Sequence, residues 1–207
     1  FLFIVLLSCL FETTYAQRTL VDTVRYRFHY DTRVTRIEGK KPFPDEINVD
    51  IGDKITHCYS KWEEDNGLLY DSIMAKGGNV NDFLVAEGPI SMFGERVIKN
   101  YPSKGNLSVT CLLGDDLIYN EPMVKKDWNL EPGDTTIVGY KCKKATCNFR
   151  GRKWIAWYTL DIPISEGPWK IDGLPGMILR AVDSINQFSF ECFQINLNSA
   201  ALLLIKS

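Results

Sequence analysis

The sequence predicts a mainly β protein, a curved antiparallel meander or half-open barrel with one or two short helices. Three observations carry this prediction. Aromatic residues form 12% of the 207-residue chain, a proportion that suits strands. Short runs of alternating or uniformly bulky residues are bounded by Gly, Pro, Asn and Asp turn signals. These runs follow one another as hairpins, so the sheet is antiparallel and must curve or close to hide its edges.

The first residues, FLFIVLLSCLF, form an apolar run too short to span a bilayer comfortably. A polar stretch and Thr14-Tyr15-Ala16 follow, so residues 1–16 read as a signal peptide cleaved after Ala16, with its charged front absent. Residues 17–207 would then form a single β-rich domain, exported to the periplasm or the outer-membrane face, with no transmembrane span in the mature chain. Two alternatives stay open: a buried strand or membrane anchor, and lipidation at Cys9, where Leu6-Leu7-Ser8-Cys9 loosely resembles a lipobox. Without residues 1–16 the chain carries 24 basic and 25 acidic groups, a formal charge of −1. That balance argues against nucleic acid as a partner, because phosphate contacts need a basic surface.

Export would leave Cys58, Cys111, Cys142, Cys147 and Cys192, an odd number, so at least one thiol is free or pairs between chains. Cys142-x4-Cys147 is neither a zinc nor a thioredoxin spacing. A bridge between them requires a turn near residues 145–148. Otherwise both read as small core residues.

In order, residues 24–31 alternate as a half-buried strand containing His29. Residues 38–45 (EGKKPFPD) read as a loop. Residues 47–60 are two strand halves around Gly52-Asp53, placing His57 and Cys58 on opposite faces. WEEDNG at 62–67 reads as a solvated turn lacking the oxygen spacing of a calcium loop. The best helix lies within 71–87, with Asn79 or Asn81 as caps before DFLVAE and Gly88-Pro89 as its stop. Residues 107–113 and 117–121 form a hairpin around Gly114-Asp115-Asp116. Residues 128–134 read as a strand end and turn, 135–145 as one β-rich run, and 152–160 as the next. In that last run Trp154, Ala156 and Tyr158 share one face and Ile155 and Trp157 the other, as in a central strand covered on both sides. Residues 177–183 and 187–195 form another hairpin. SAALLLIKS at the end reads as a final strand cut short or as a product of truncation.

Catalytic signatures are missing from the sequence: there is no G-x-S-x-G elbow, H-E-x-x-H, P-loop or G-x-G-x-x-G. His29 and His57 are the only histidines, so any triad must use one of them. A hydrolase would have to draw on Asp161, Glu166 or His29, with carboxylates converging in a cleft. The expectation is therefore a non-enzymatic protein, with no cofactor and no metal. The turn Gly173-Leu174-Pro175-Gly176 stands apart, because proline restricts two residues while the flanking glycines permit positive φ and close backbone approach. It reads either as a core-sealing turn or as an apolar edge presented to a ligand or partner.

GLPGMI at 173–178, GPWK at 167–170, IPI at 162–164, AWYT at 156–159 and FRGR at 149–152 closely resemble the GLPGLI family of secreted Bacteroidetes proteins. GYKCKKAT at 139–146 and, more loosely, YNEP…DW at 119–128 extend the resemblance over most of the mature chain. Met177 stands where the family name has leucine, a volume-conserving exchange. The resemblance implies no established activity. It implies a curved antiparallel sheet, loosely similar to half-open barrels that carry lipoproteins. The functional expectation is a binding protein holding an apolar small molecule, a lipid or an outer-membrane protein. Trp154, Trp157, Trp169, Gly173, Leu174, Pro175, Gly176 and Met177 would line the site, with Arg150 and Arg152 as anion contacts. The alternative is an envelope assembly subunit that pairs through a sheet edge.

Overall fold

A computed structural model describes residues 18–35, 40–113 and 115–206. The expected signal peptide, its cleavage site and Cys9 lie outside the described residues, as do 36–39 of the first loop and Gly114 of the 107–121 hairpin.

The chain lays down β1 (Arg18–Thr23), β2 (Tyr26–Val34), β3 (Phe43–Ile51), β4 (Thr56–Ser60), α1 (Lys61–Ala75), α2 (Val80–Ala86), β5 (Glu95–Lys99), β6 (Asn106–Leu113) and β7 (Asp115–Pro122). It continues with β8 (Asn129–Ile137), β9 (Tyr140–Phe149), β10 (Arg152–Thr159), β11 (Met177–Asp183), β12 (Phe188–Asn196) and β13 (Leu202–Lys206). Eleven strands form one antiparallel sheet in the order β7-β6-β5-β4-β3-β2-β12-β11-β10-β9-β8, and β1 pairs with β13 as a separate ribbon. The first half of the chain is thus a meander running outward from β2. Residues 123–128 then cross to the far edge, and the second half returns inward until β12 pairs with β2.

β7 and β8 remain edges, so the sheet is open. It is also curled. Glu121 on β7 bonds Arg150 at the β9–β10 turn at 2.6 Å, although those strands sit near opposite ends of the order. Curling creates a trough whose walls follow from period-two alternation. Phe28, Tyr30, Ile47, Val49, Cys58, Val97, Trp154, Ala156, Phe190 and their neighbours face it as one buried cluster. Outside, the β1–β13 ribbon closes a second small core of Val24, Ile55, Ile98 and Leu203.

Several local expectations are corrected. Residues 62–67 are not a turn but the first turns of α1, because Ser60 caps the helix by accepting from the Glu63 N–H and Glu63 and Glu64 favour its N-terminus. The helix expected within 71–87 is instead the end of α1 plus α2, which Asn79 opens with a capping box. The run 135–145 is split by a tight turn at Val138-Gly139, both with positive φ, so β8 ends and β9 begins inside it. β10 is covered fully on one face only, since Ile155 and Trp157 are half-buried. Cys142 and Cys147 lie on the single uninterrupted strand β9. No turn brings them together, and all five described cysteines are free.

Candidate functional site

Between β10 and β11, where a two-residue turn would suffice, residues 160–176 fold into the trough and seal it. The Met177 N–H donates to the Ile162 carbonyl and the Ile178 N–H to the Glu166 carbonyl, both at 2.9 Å. Ile162, Ile171 and Leu174 are buried in the main core. Glycine is required at two places because backbone meets backbone. A Cβ on Gly176 would fall inside the van der Waals shell of the Thr159 carbonyl, and one on Gly167 would lie 2.6 Å from the Ile171 oxygen. Gly173 serves differently, with φ +95° and only the Trp128 indole near, 3.6 Å from where a Cβ would sit.

Most of the expected site residues gather here as packing. Trp154 is 1% exposed, donates from Nε1 to the Phe149 carbonyl at 3.3 Å and stacks on Phe190. Leu174 and Met177 are fully buried, Gly176 is buried, and Gly173 and Pro175 face outward. Trp169 is half-buried at φ +52°, its amide donating to Cys58 Sγ at 3.2 Å and its indole to Glu95 at 2.7 Å. Trp157 is not in the trough. It lies half-buried on the opposite face with the Arg180 guanidinium 4.9 Å above its ring. Arg150 bonds both carboxylate oxygens of Glu121, and Arg152 bonds Asp183 at 2.6 Å and Gln187 at 2.8 Å. Each arginine already has an acidic partner.

Three buried lysines that sequence reasoning passed over hold the sealing segment. Lys99 on β5 is wholly buried and reaches Glu166 at 2.7 Å, the Gly167 carbonyl at 3.0 Å and Asp172 at 3.4 Å. Burial alone would lower its pKa, but Glu166 and Asp172 outweigh burial and the pKa is raised. Lys126, on the edge-to-edge crossing, bonds Asp172 at 2.6 Å, yet burial wins there and its pKa is lowered. Lys170 donates to Tyr119 Oη at 3.1 Å and pairs with Glu121 at 3.1 Å, which ties the segment to β7. Trp128 Nε1 donates to the Asp172 carbonyl at 2.9 Å. Only Lys170 left a trace in the sequence, inside GPWK. Lys99 ends a strand, RVIK, that reads as ordinary alternation.

The opposite face of the sheet carries a pocket of about 270 Å³ between β2, β3, β4, α1 and β13. Arg27 grips Asp50 with two bonds of 2.6 and 2.7 Å, and Tyr59 Oη donates to Asp50 at 3.0 Å. His57 and Asn48 form its buried wall, with the His57 ring tilted against Tyr59 at 4.6 Å between centroids. His57 is kept neutral, because burial first, then Arg96 and Arg27, push its pKa well below 6.5. His29 also lines the pocket, 3.8 Å from Glu46, its pKa lowered by burial and Arg27. As expected, adjacent His57 and Cys58 point to opposite faces.

Fold and site together define an open, curled antiparallel sheet whose interior is closed by one of its own connections. Residues 150–180 match the model of a family described as a protein of unknown function (Porph_ging), and that span contains the whole sealing segment. Among solved structures the chain is similar to PNGF-II in its P21 crystal form, 18% identical, with a TM-score of 0.52 over 85% of this chain and 28% of that one. The C2 form of PNGF-II matches with 18% identity and a TM-score of 0.48, over 90% of this chain and 28% of that one. The chain therefore spans 28% of the PNGF-II chain, and the likeness is one of fold alone. No curated protein matches the sequence. Among the described residues, no helix is long and apolar enough to cross a membrane.

Proposed function

We propose that this chain is an exported, non-enzymatic binding protein of the GLPGLI type, and that it docks a protein partner of the cell envelope through the α1–α2 hairpin. The hairpin carries this reading. It is braced internally, with Tyr70 edge-on to Phe83 at 5.4 Å and Asn66 bonded to both Gly88 and Pro89, yet neither helix buries a single residue. Val85 is 90% exposed, and Leu84, Ile90 and Val80 are each more than half exposed. A helix pair with that much apolar surface is half of an interface.

Charge narrows the partner. Residues 61–90 hold two lysines against six acidic groups, a formal −4. An acidic, apolar surface fits a protein patch with basic groups around an apolar centre and is repelled by anionic lipid. Support for a non-enzymatic role is that the carboxylates and histidine considered for hydrolysis occupy separate settings. Glu166 is engaged by Lys99, Asp161 is exposed beyond β10, and His29 is on the other face. Partner docking is preferred to carriage of an apolar ligand because residues 160–176 already fill the trough.

The sheet edge offers a second reading, since Leu117 and Ile118 on the outermost strand β7 are more than half exposed. Photo-crosslinking residues placed separately at Val85 and Ile118 in the full chain, expressed in its own host, decide between them. Adducts from Val85 to one protein bearing a basic, apolar patch are the expected result. Adducts from Ile118 alone, or from neither position, would overturn the hairpin reading.

A further inference from the structure

The outer-face pocket borders α1 but includes none of Val80, Leu84, Val85 and Ile90, the exposed residues that carry the docking reading. Its charged groups are satisfied among themselves. Arg27 and Asp50 form a two-bond pair, Lys61 bonds Asp65, and Arg96 pairs with Glu63 and Glu64. An ionic ligand would have to break one of these pairs or enter beside an already neutral wall, and both are costly in a half-enclosed site. What the wall leaves unspent is neutral. Asn48 and His57 are each 5% exposed, and among the described residues neither Asn48 Oδ1 nor His57 Nε2 has a hydrogen-bonding partner. Leaving such groups unpaired is disfavoured in a buried setting, so their persistence in a pocket wall is a mark of a site. Leu68, Leu202 and Leu203 supply an apolar side to the same pocket.

We propose that this pocket binds a small neutral polyhydroxyl molecule, of the monosaccharide or polyol class. Hydroxyls both donate and accept, so one ligand type satisfies an amide oxygen and a neutral imidazole without adding charge. The ligand's C–H face would lie on the leucines. A volume near 270 Å³ holds one sugar ring and not a chain of them.

The test is heteronuclear NMR of the purified full chain against a panel of D-glucose, D-galactose, D-mannose and mannitol, with glucuronate and glucosamine as charged controls. Saturable shifts at Asn48 and His57 with at least one neutral member are expected. Asn48→Ala should weaken that binding about tenfold, roughly 1.4 kcal/mol. Leu202→Trp, at an exposed position on the rim, should weaken it as much while leaving the fold intact even if Asn48→Ala destabilises it. The proposal is overturned if no neutral member produces saturable shifts, if a charged control binds more tightly than every neutral one, or if Leu202→Trp binds as the parent does.

Discussion

Lys99 Nζ lies 2.7 Å from Glu166 Oε2 with the lysine wholly buried, so a strand of the first half of the chain is fastened to the segment that seals the second. Lys99→Met would leave Glu166 and Asp172 facing apolar surroundings with one cation fewer. A destabilisation of about 3 kcal/mol is expected, at the lower end for a broken buried pair because Glu166 is 15% exposed. Urea denaturation measures it, and a change below about 0.5 kcal/mol would show that the fastening contributes little.

The glycines of the hexapeptide should differ sharply in tolerance. Gly176→Ala forces a methyl against the Thr159 carbonyl and should cost about 3 kcal/mol or prevent folding. Gly173→Ala meets only the strain of φ +95° and should cost about 1–2 kcal/mol. Met177→Leu, a volume-conserving exchange at a fully buried position, should cost less than about 1.5 kcal/mol. Thermal melts of the three variants rank them, and equal losses at Gly173 and Gly176 would contradict the close-approach argument.

Acid should destabilise the protein through His57. Its folded pKa is depressed well below 6.5, so below pH 6.5 the unfolded chain takes up a proton that the folded chain refuses. Stability is then full above pH 6.5 and falls as pH drops, by up to about 1.4 kcal/mol per pH unit from this group. His57→Phe should flatten that part of the stability–pH curve. An unchanged slope between pH 6.5 and 5 would mean that His57 titrates normally in the fold.

The thiols should separate by burial. Cys58 and Cys192 are pushed up to about 12 and Cys142 and Cys147 to about 11, in each case chiefly by desolvation, whereas Cys111 is half-exposed. Among the five described cysteines, iodoacetamide at pH 8 on the native protein should label Cys111 alone, by peptide mass mapping. Rapid labelling of Cys142 or Cys147 would contradict the buried, continuous β9.

Much of this architecture was legible because period-two alternation and turn chemistry are local. The hairpins β3–β4, β9–β10 and β11–β12 follow from turn signals at Gly52-Asp53, Gly151 and residues 184–186. The pairing of β6 with β7 was expected, although β7 begins at Asp115 rather than at 117, and of the two readings open for GLPG the core-sealing turn matches its packing. What was not legible is long-range. The pairing of β12 with β2 joins residues more than 150 apart, and the outward meander, crossing and return have no sequence marker. α1 was missed because none of its apolar residues is fully buried and so they leave no core-facing period, while Ser60 capping it looked like the end of a strand. Lys99, Lys126 and Lys170 read as solvated charges because burial of a lysine depends on partners, Glu166, Asp172 and Glu121, that only the fold brings near. The outer-face pocket needed Asn48, Asp50, His57 and Tyr59 from two strands to be seen side by side.

Native mass spectrometry of the protein released gently from its own envelope tests the central claim most directly. The sealed trough and the exposed hairpin predict a complex with one protein partner, lost on Val85→Glu, and no apolar small molecule on the monomer. A monomer carrying a lipid-sized apolar adduct, unaffected by Val85→Glu, would contradict the account and return the trough to the role of a ligand chamber.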